Sequence, residues 1–221
     1  MDAQLLVRRV RPNPAILLVH NSTLKNRVSL ARYNLTRVDL KTFTFAAGSK
    51  SLSIDNAVLG PIPKRLLFTM VKNSVFIGSL DSNPYKFQKY ITEFSLFVDG
   101  KQFPNVGPSL GMDHEKTSVM GYRMLFEASG IHHSNTGLQI THNIYIYIYI
   151  YIYINGYFML LFDLTPDRGA SGGHTSQPEN GSIRIVLKFN KTLPEAIMCL
   201  LYLEFDNSIL IDFASTVTTD S

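Results

Sequence analysis

Tryptophan is absent from this sequence of 221 residues, cysteine occurs once, and only 17% of the residues are charged. Because 45% are hydrophobic, the low charge indicates a chain that buries a core and excludes an intrinsically disordered protein. The single cysteine, Cys199, excludes an intramolecular disulfide, and its apolar flanks predict a buried structural thiol rather than a nucleophile. The first residues lack the basic, apolar and small-residue order of a secretory signal, which predicts a protein that is not secreted.

The longest uncharged apolar stretch begins with an unbroken alternation of isoleucine and tyrosine from Ile144 to Ile154. A two-residue period is wrong for a helix in lipid, so we expect no transmembrane span. Alternating β-branched and aromatic residues predict a strand of about ten residues with an aggregation-prone edge. The net charge of +4 would permit weak attraction to nucleic acid, but basic residues occur throughout the chain, which disfavours that function.

Local patterns predict about nine short strands and two short helices. One helix is expected from Pro14 to Lys25, after the N-cap residue Asn13, and another from Thr117 to Ser129, ending at Gly130. Asp99-Gly100 between two apolar runs predicts a tight β-hairpin turn. Alternating or β-rich runs predict strands at residues 3–10, 33–46, 52–59, 64–73, 89–98, 157–162, 182–189, 196–205 and 209–213.

Two further local features accompany the strands. The apolar phase slips by one residue between Leu40 and Phe43, which predicts a β-bulge or bend. Residues 167–181 are rich in glycine, serine, asparagine and proline, which predicts an exposed loop. Because helices do not alternate with strands, the sequence predicts an all-β protein: a single antiparallel jelly-roll β-sandwich over residues 1–221, with one or two short helices in its connections.

Candidate chemistry is sparse. His132 and His133, with two further histidines at 114 and 142, lack a carboxylate or cysteine at ligand spacing, so no metal site is predicted. Four carboxylates near strand ends are expected to cap turns or form surface ion pairs rather than to act as an acid and base: Asp163, Asp167, Glu204 and Asp206. Lys64 and Arg65 are interpreted as solvated strand ends. The residues therefore predict no catalytic site, no cofactor and no enzyme.

Nine short motifs, in one order along nearly the whole chain, resemble the hexon-like major capsid protein of Polinton/Maverick elements and related adintoviruses. They lie at residues 6–11 (LVRRVR), 41–44 (KTFT), 63–66 (PKRL), 83–87 (NPYKF), 98–102 (VDGKQ), 155–157 (NGY), 162–167 (FDLTPD), 193–195 (LPE) and 202–207 (YLEFDN). The positions within them that we single out as structural motif residues are Asp99, Gly100, Asp163, Pro166, Asp167, Pro194, Glu195, Glu204, Asp206 and Asn207.

This resemblance implies a structural role. Members of that family have two jelly-rolls in one chain and form pseudo-hexagonal trimers that tile an icosahedral shell; this chain resembles the C-terminal half, which implies truncation. The implied partners are further copies and other capsid proteins, with no small-molecule substrate, no membrane, and nucleic acid at most indirectly, and the implied location is the virion or otherwise the cell interior.

Two departures from the family pattern imply a drifting copy integrated in a host genome. The run at residues 144–154 replaces a short ordinary segment and has the form of a translated TA dinucleotide repeat. Residues 174–179 lose the apolar side chains of the family's stretch before Asn180-Gly181.

Two other functions stay open. One is a stand-alone, lectin-like jelly-roll that binds a ligand through loops such as 130–141 and 167–181, and the other is an open reading frame of a decayed element without function.

Overall fold

The computed structural model describes residues 4–25, 30–81, 83–87, 91–104, 118–131, 158–172, 175–214 and 216–219. Within these ranges the chain forms nine strands and three helices. In chain order they are α1 (Pro14–Lys25), β1 (Ala31–Phe45), β2 (Ser51–Pro61), β3 (Arg65–Lys72), α2 (Asn73–Phe76), β4 (Ile91–Val98), β5 (Lys101–Phe103), α3 (Ser118–Ser129), β6 (Met159–Asp163), β7 (Asn180–Phe189), β8 (Ile197–Ile211) and β9 (Val217–Thr219).

The strands form two sheets, and their order is that of one long antiparallel ladder wrapped around the core. One sheet runs β1-β8-β3-β6, with β9 added to β8, and the other runs β2-β7-β4-β5. The first strand therefore pairs with the eighth, the second with the seventh, the third with the sixth and the fourth with the fifth. A long antiparallel ladder folded over into two sheets in this way is a jelly-roll. The predicted all-β antiparallel jelly-roll is confirmed.

The core lies between the two sheets because alternate side chains of each strand point inward. In β7, Ile183, Ile185 and Leu187 are fully buried, whereas Arg184 and Lys188 face solvent. Burial of each aliphatic side chain stabilises the fold by about 1.5–3 kcal/mol relative to exposure. Aromatic contacts join the sheets: the ring of Phe94 lies 5.0 Å from that of Phe68 in an edge-on arrangement and stacks 5.3 Å from that of Phe162.

The two predicted helices form close to their expected bounds. The backbone N of Ala15 donates to Oδ1 of Asn13 at 3.0 Å, so Asn13 satisfies one of the free amides at the start of α1. Helix α3 stops at Gly130, whose φ of 74° is readily adopted by glycine. Leu125 and Ala128 of α3 are buried in the core, which fixes this helix against β6.

The Asp99-Gly100 hairpin is also confirmed. Asp99 and Gly100 both have positive φ, 49° and 75°, as a two-residue turn of the primed type requires. The flanking strands pair Val98 with Lys101 and Leu96 with Phe103.

Two strand predictions were wrong, and one strand was not predicted. Residues 4–10 form no strand and are exposed, because no neighbouring strand accepts their hydrogen bonds in the described part of the chain. The separate strands expected at 196–205 and 209–213 are one continuous strand, β8, because polar residues between them stay in the ladder. The short strand β9, which pairs with the end of β8, was not predicted.

The prediction of a bulge between Leu40 and Phe43 was also wrong. Burial alternates without a slip through this part of β1, so Leu40 lies on the outward side and the polar residues Asp39 and Lys41 take inward positions. Lys41 is accommodated there because its Nζ donates to the backbone carbonyl of Ala57 at 3.2 Å.

The bulge lies instead in β2. The register of β2 on β7 shifts between Ile54 and Val58, and Asn56 adopts a positive φ of 52°. The carbonyl of Ala57 that accepts the Lys41 hydrogen bond belongs to this irregular stretch. The irregularity therefore lies in β2 rather than at the apolar phase slip of β1.

The chain divides into two compact units. Unit 2, Arg37–Asp206, holds the hydrophobic core. Unit 1 combines Met1–Thr36 with Asn207–Ser221. The isoleucine and tyrosine run at 144–154 lies outside the described residues, as do the histidines at 114, 132, 133 and 142 and most of residues 130–141.

Candidate interaction surface

Asp163 ends β6 and closes the loop that follows. Its Oδ1 accepts hydrogen bonds from the backbone N and the hydroxyl of Thr165 at 3.0 and 2.5 Å, and its Oδ2 accepts from the backbone N of Ala170 at 3.0 Å. The Thr165 hydroxyl in turn accepts from the backbone N of Gly169 at 2.9 Å. The buried carboxylate is satisfied by its own loop, so Asp163 organises structure, as expected of a turn-capping aspartate.

Pro166 and Asp167 lie at the tip of the same loop and are exposed. Oδ1 of Asp167 accepts from the backbone N of Gly169 at 3.0 Å, and Arg168 adopts a positive φ of 54°. The guanidinium of Arg168 lies 5.8 Å from the ring centroid of Phe103. The described residues at the start of the expected loop, 167–172, are thus ordered by local hydrogen bonds.

Two ion pairs join the start of β3 to β8. Nζ of Lys64 lies 2.8 Å from Oδ1 of Asp206, and Nη1 of Arg65 lies 3.1 Å from Oε2 of Glu204. The four side chains are between 14% and 24% exposed. The interpretation of Lys64 and Arg65 as solvated strand ends was therefore wrong, because the β3–β8 register places Arg65 directly opposite Glu204. The expectation that Glu204 and Asp206 form ion pairs is confirmed.

Arg65 also links this ion pair to helix α3. Its Nη2 donates to the hydroxyl of Ser171. The Ser171 side chain occupies the place that a Cβ at Gly130 would need, so residue 130 must be glycine for this close approach as well as for its positive φ. The end of α3, the loop after β6 and the β3–β8 pair therefore form one connected structure.

Tyr202 borders the same cluster. Partial burial, together with the negative charge of Glu204 and its hydrogen bond to the phenol, raises the pKa of Tyr202 above its usual range; the charge of Arg65 acts in the opposite direction. A phenol with its usual pKa of about 10 is already neutral at physiological pH, so this shift changes the protonation of Tyr202 only in alkaline solution.

Asp99 connects the β4–β5 hairpin to the start of β7. Its backbone N donates to the carbonyl of Ser182 at 2.9 Å, and its Oδ1 accepts from the backbone N of Ser182 at 2.7 Å. Gly100 supplies the second turn residue of the hairpin. These two motif positions therefore determine how the hairpin meets β7.

Pro194 and Glu195 lie between β7 and β8, at the opposite end of the sandwich. Oε1 of Glu195 lies 2.6 Å from Nζ of Lys72, and the neighbouring Leu193 is buried in the core. The backbone of Leu193 exchanges hydrogen bonds with the turn between β1 and β2, donating to Ser49 at 3.0 Å and accepting from Gly48 at 2.8 Å. Asn207, in unit 1, accepts at Oδ1 from the backbone N of Ser208 at 2.7 Å.

The motif positions described above form turns, backbone hydrogen bonds and ion pairs. Cys199 is fully buried, as predicted, and its burial raises the pKa of the thiol far above its usual range. Among the described residues, no group of three or more histidine, cysteine or acidic side chains is arranged to hold a metal ion. In the same ranges, no helix has both the length and the apolar character needed to cross a bilayer.

The two sheets differ on their outward faces. The β2-β7-β4-β5 sheet carries charged pairs there: Arg184 with Asp55 at 2.9 Å and Lys188 with Glu93 at 2.6 Å. The outward face of the β1-β8-β3-β6 sheet carries the Lys64–Asp206 and Arg65–Glu204 pairs and, beside them, the half-buried Leu67, Leu200 and Tyr202. On its edge strand β1, Val38 and Leu40 are 45% and 59% exposed. Val38 and Leu40, two exposed apolar residues on one strand, are the candidate protein-contact residues of β1.

The wrapped order of eight strands places the chain among proteins with the jelly-roll fold, the fold also found in viral major capsid proteins. A chain of the Sputnik virophage, from its 3.5 Å cryo-EM structure, superposes with a TM-score of 0.51 over 86% of this chain and 39% of the virophage chain, at 14% identity. A chain of the quasi-atomic PBCV-1 virus capsid matches 91% of this chain and 54% of its own length, with a TM-score of 0.48 and 10% identity.

An uncharacterised protein of Caenorhabditis elegans, F54H12.2, is 24% identical over 195 residues, which are 87% of this chain and 44% of the nematode protein. The chain therefore spans about half or less of the length of the proteins it matches. No protein-family profile matches the chain.

Proposed function

We propose that this chain is a structural building block of a virus-type shell and has no catalytic role. The observation that carries the proposal is the complete wrapped jelly-roll, shared over most of the chain with a chain of a virophage particle. The polar motif positions Asp99, Asp163, Glu195, Glu204 and Asp206 are used in turns and ion pairs, which suits a scaffold that presents surfaces.

The finer proposal is that the chain is the C-terminal jelly-roll of a Polinton-type major capsid protein, truncated and integrated in a host genome. In support, it matches less than half of the virophage chain and of the nematode protein. The nine ordered motifs favour the Polinton group. We further propose that both units belong to one domain spanning residues 1–221 and that the assembled form is a pseudo-hexagonal trimer.

Two kinds of experiment test this function. The DNA that flanks the gene should encode a first jelly-roll upstream, or lie near polymerase, integrase and packaging-ATPase genes. The chain should then be expressed alone and joined to that upstream frame, its mass measured by light scattering and its assemblies imaged by electron microscopy. The joined protein is expected to form trimers that pack into hexagonal arrays.

Two results would contradict the capsid proposal. A joined protein that stays monomeric at every concentration, or an intact single-domain gene with a signal peptide whose product binds glycans, would favour the lectin-like alternative and overturn the capsid proposal. A glycan array and the same light-scattering series distinguish the two.

A further inference from the structure

Arg65 has a hydrogen-bond donor that its contacts with Glu204 and Ser171 leave unused. Its Nη1 lies 3.1 Å from Oε2 of Glu204, and its Nη2 donates to the hydroxyl of Ser171. Its Nε is buried and has no acceptor among the described residues. Because a buried donor without an acceptor costs free energy, such an atom in a folded protein indicates that an additional acceptor belongs at this place.

The shape of the guanidinium places this unused donor on the side of Ser171. The N–H of Nε and one N–H of Nη2 point in the same direction and form a fork that matches two oxygens of a carboxylate or a phosphate. The Ser171 hydroxyl occupies only the Nη2 prong of this fork. A phosphate carried on the same hydroxyl oxygen presents three acceptor oxygens, so it can satisfy both prongs.

Ser171 is accessible and yet held in a defined position. It is exposed, in the loop between β6 and β7. The carboxylate of Asp163 accepts from the backbone N of Ala170, the residue immediately before it. The Ser171 side chain lies against the Cα of Gly130, which follows α3. Exposed loops of this kind are where modifying enzymes reach a folded protein, and a change at Ser171 acts directly on the end of α3.

The residues before Ser171 have the charge pattern of a protein-kinase substrate. Arg168 precedes Ser171 by three residues and is exposed. Among the ten arginines of the chain, Arg168 is the only one that has a serine or threonine three residues later. Basophilic serine/threonine kinases select an arginine at this distance, because the charge pattern around the acceptor sets which substrate a kinase accepts. The pattern and the unused donor of Arg65 therefore point to the same hydroxyl.

We propose that Ser171 is a phosphorylation site and that Arg65 binds the phosphate. In the transfer, Oγ of Ser171 forms a bond to the γ-phosphorus of ATP, the bond to the β-phosphate oxygen breaks, ADP leaves, and the hydroxyl proton goes to the catalytic carboxylate of the kinase. The phosphoserine, with a charge of about −1.5 to −2, then accepts charge-assisted hydrogen bonds from Nε and Nη2, while Nη1 stays with Glu204. This site goes beyond the proposed shell function and does not depend on it.

The phosphate is expected to strengthen the connection between the loop after β6, the end of α3 and the β3–β8 pair. Before modification, one neutral hydroxyl links Arg65 to the loop. Afterwards a fork of two charge-assisted hydrogen bonds makes the same link, and such bonds are about twice as strong as neutral ones. Opening of residues 165–172 and of the last turn of α3 should therefore become rarer.

The first experiment measures phosphoryl transfer to the folded 221-residue chain. The probe is a purified calcium/calmodulin-dependent protein kinase, which selects arginine three residues before its acceptor, with labelled ATP. We expect Ser171→Ala and Arg168→Ala each to lower the rate of incorporation by at least about tenfold. The matched control is Ser53→Ala, which removes an exposed serine that follows Lys50 by three residues but lies within strand β2, and it should stay within about twofold. Circular dichroism verifies that all variants are folded.

The second experiment measures what the phosphate does. Amide hydrogen exchange of residues 165–172 should slow by about tenfold on phosphorylation of the wild type. Arg65→Lys keeps the positive charge but lacks the fork, so it should still be phosphorylated and show at most about a twofold change in exchange. Phosphorus NMR against pH supplies a readout on the wild type itself, because pairing with a guanidinium lowers the second pKa of phosphoserine below its usual value of about 6.

Three outcomes overturn the inference, and each leaves the shell function standing. Incorporation that Ser171→Ala does not reduce, or that occurs only after the chain is unfolded by heat, would show that the fold does not present this hydroxyl to a kinase. A phosphoserine with a second pKa of about 6 and unchanged exchange would show that Arg65 does not bind the phosphate. Equal slowing of exchange in Ser171→Ala by millimolar inorganic phosphate would identify a free anion as the ligand of Arg65.

Discussion

The carboxylate of Asp99 lies so close to the Cα of Gly181 that any side chain at position 181 would displace it. A Cβ there would be 2.5 Å from Oδ1 and 2.7 Å from Cγ of Asp99. The same Oδ1 accepts the hydrogen bond from the backbone N of Ser182. The Asp99 side chain thus holds the β4–β5 hairpin turn against the first residues of β7, and it has room to do so because residue 181 is glycine.

Gly181→Ala is expected to destabilise the fold by about 2–3 kcal/mol, because the added methyl displaces the Asp99 carboxylate and its hydrogen bond. Asp99→Ala alone should cost about 1–2 kcal/mol through loss of that bond. The double variant should cost less than the sum of the two, since removing the carboxylate makes room for the methyl. Urea unfolding of all four proteins measures this cycle, and strict additivity would contradict the proposed steric relationship.

A second prediction concerns the loop after β6. Asp163→Ala leaves the backbone N of Ala170 and the Thr165 groups without their acceptor, and we expect a loss of about 2–3 kcal/mol. Asp167→Ala, in the same loop but exposed, should cost about 0.5 kcal/mol. Chemical denaturation compares the two, and equal losses would show that the buried network contributes no more than an exposed turn.

The ion pair between Arg65 and Glu204 provides a third prediction. Arg65→Met leaves a largely buried carboxylate without its cation and leaves Ser171 without its donor, so we expect a loss of about 2 kcal/mol. The exposed pair between Arg123 and Glu127 in α3 is the matched control, and Glu127→Gln should change stability by about 0.5 kcal/mol or less. Adding salt should weaken the control pair and leave the first nearly unchanged. A salt-sensitive Arg65 pair would contradict its burial.

Sequence patterns were sufficient to predict those structural elements whose decisive contacts are local. Asn13 caps the helix that begins next to it, and Asp99-Gly100 forms its turn, because such signals act within a few residues. The partner of Arg65, in contrast, is Glu204, which is set by the register of two strands far apart in sequence. Nothing local reveals that register, so two half-buried cations were interpreted as solvated.

The segment at residues 4–10 shows again that sequence patterns do not reveal contacts between distant parts of the chain. Residues 4–10 have strand-forming side chains, but a strand exists only where a neighbouring strand accepts its hydrogen bonds. The described residues include no such neighbour for this segment. The phase slip at Leu40 was likewise a real feature of the sequence, but it marks apolar residues on the outward face of an edge strand rather than a bulge.

The raised pKa of Tyr202 gives a fourth prediction, about pH. Because the phenol keeps its proton to higher pH in the folded chain than in the unfolded one, its contribution is fully present below the unfolded pKa of about 10 and is lost as pH rises through the folded value. Tyr202→Phe should therefore flatten the loss of stability above about pH 10. Glu204→Gln removes the neighbouring negative charge and should lower the pKa of Tyr202 toward its usual value. Phenolate absorbance measured against pH for the wild type and both variants tests this, and identical titration curves would show that Glu204 exerts no field on the phenol.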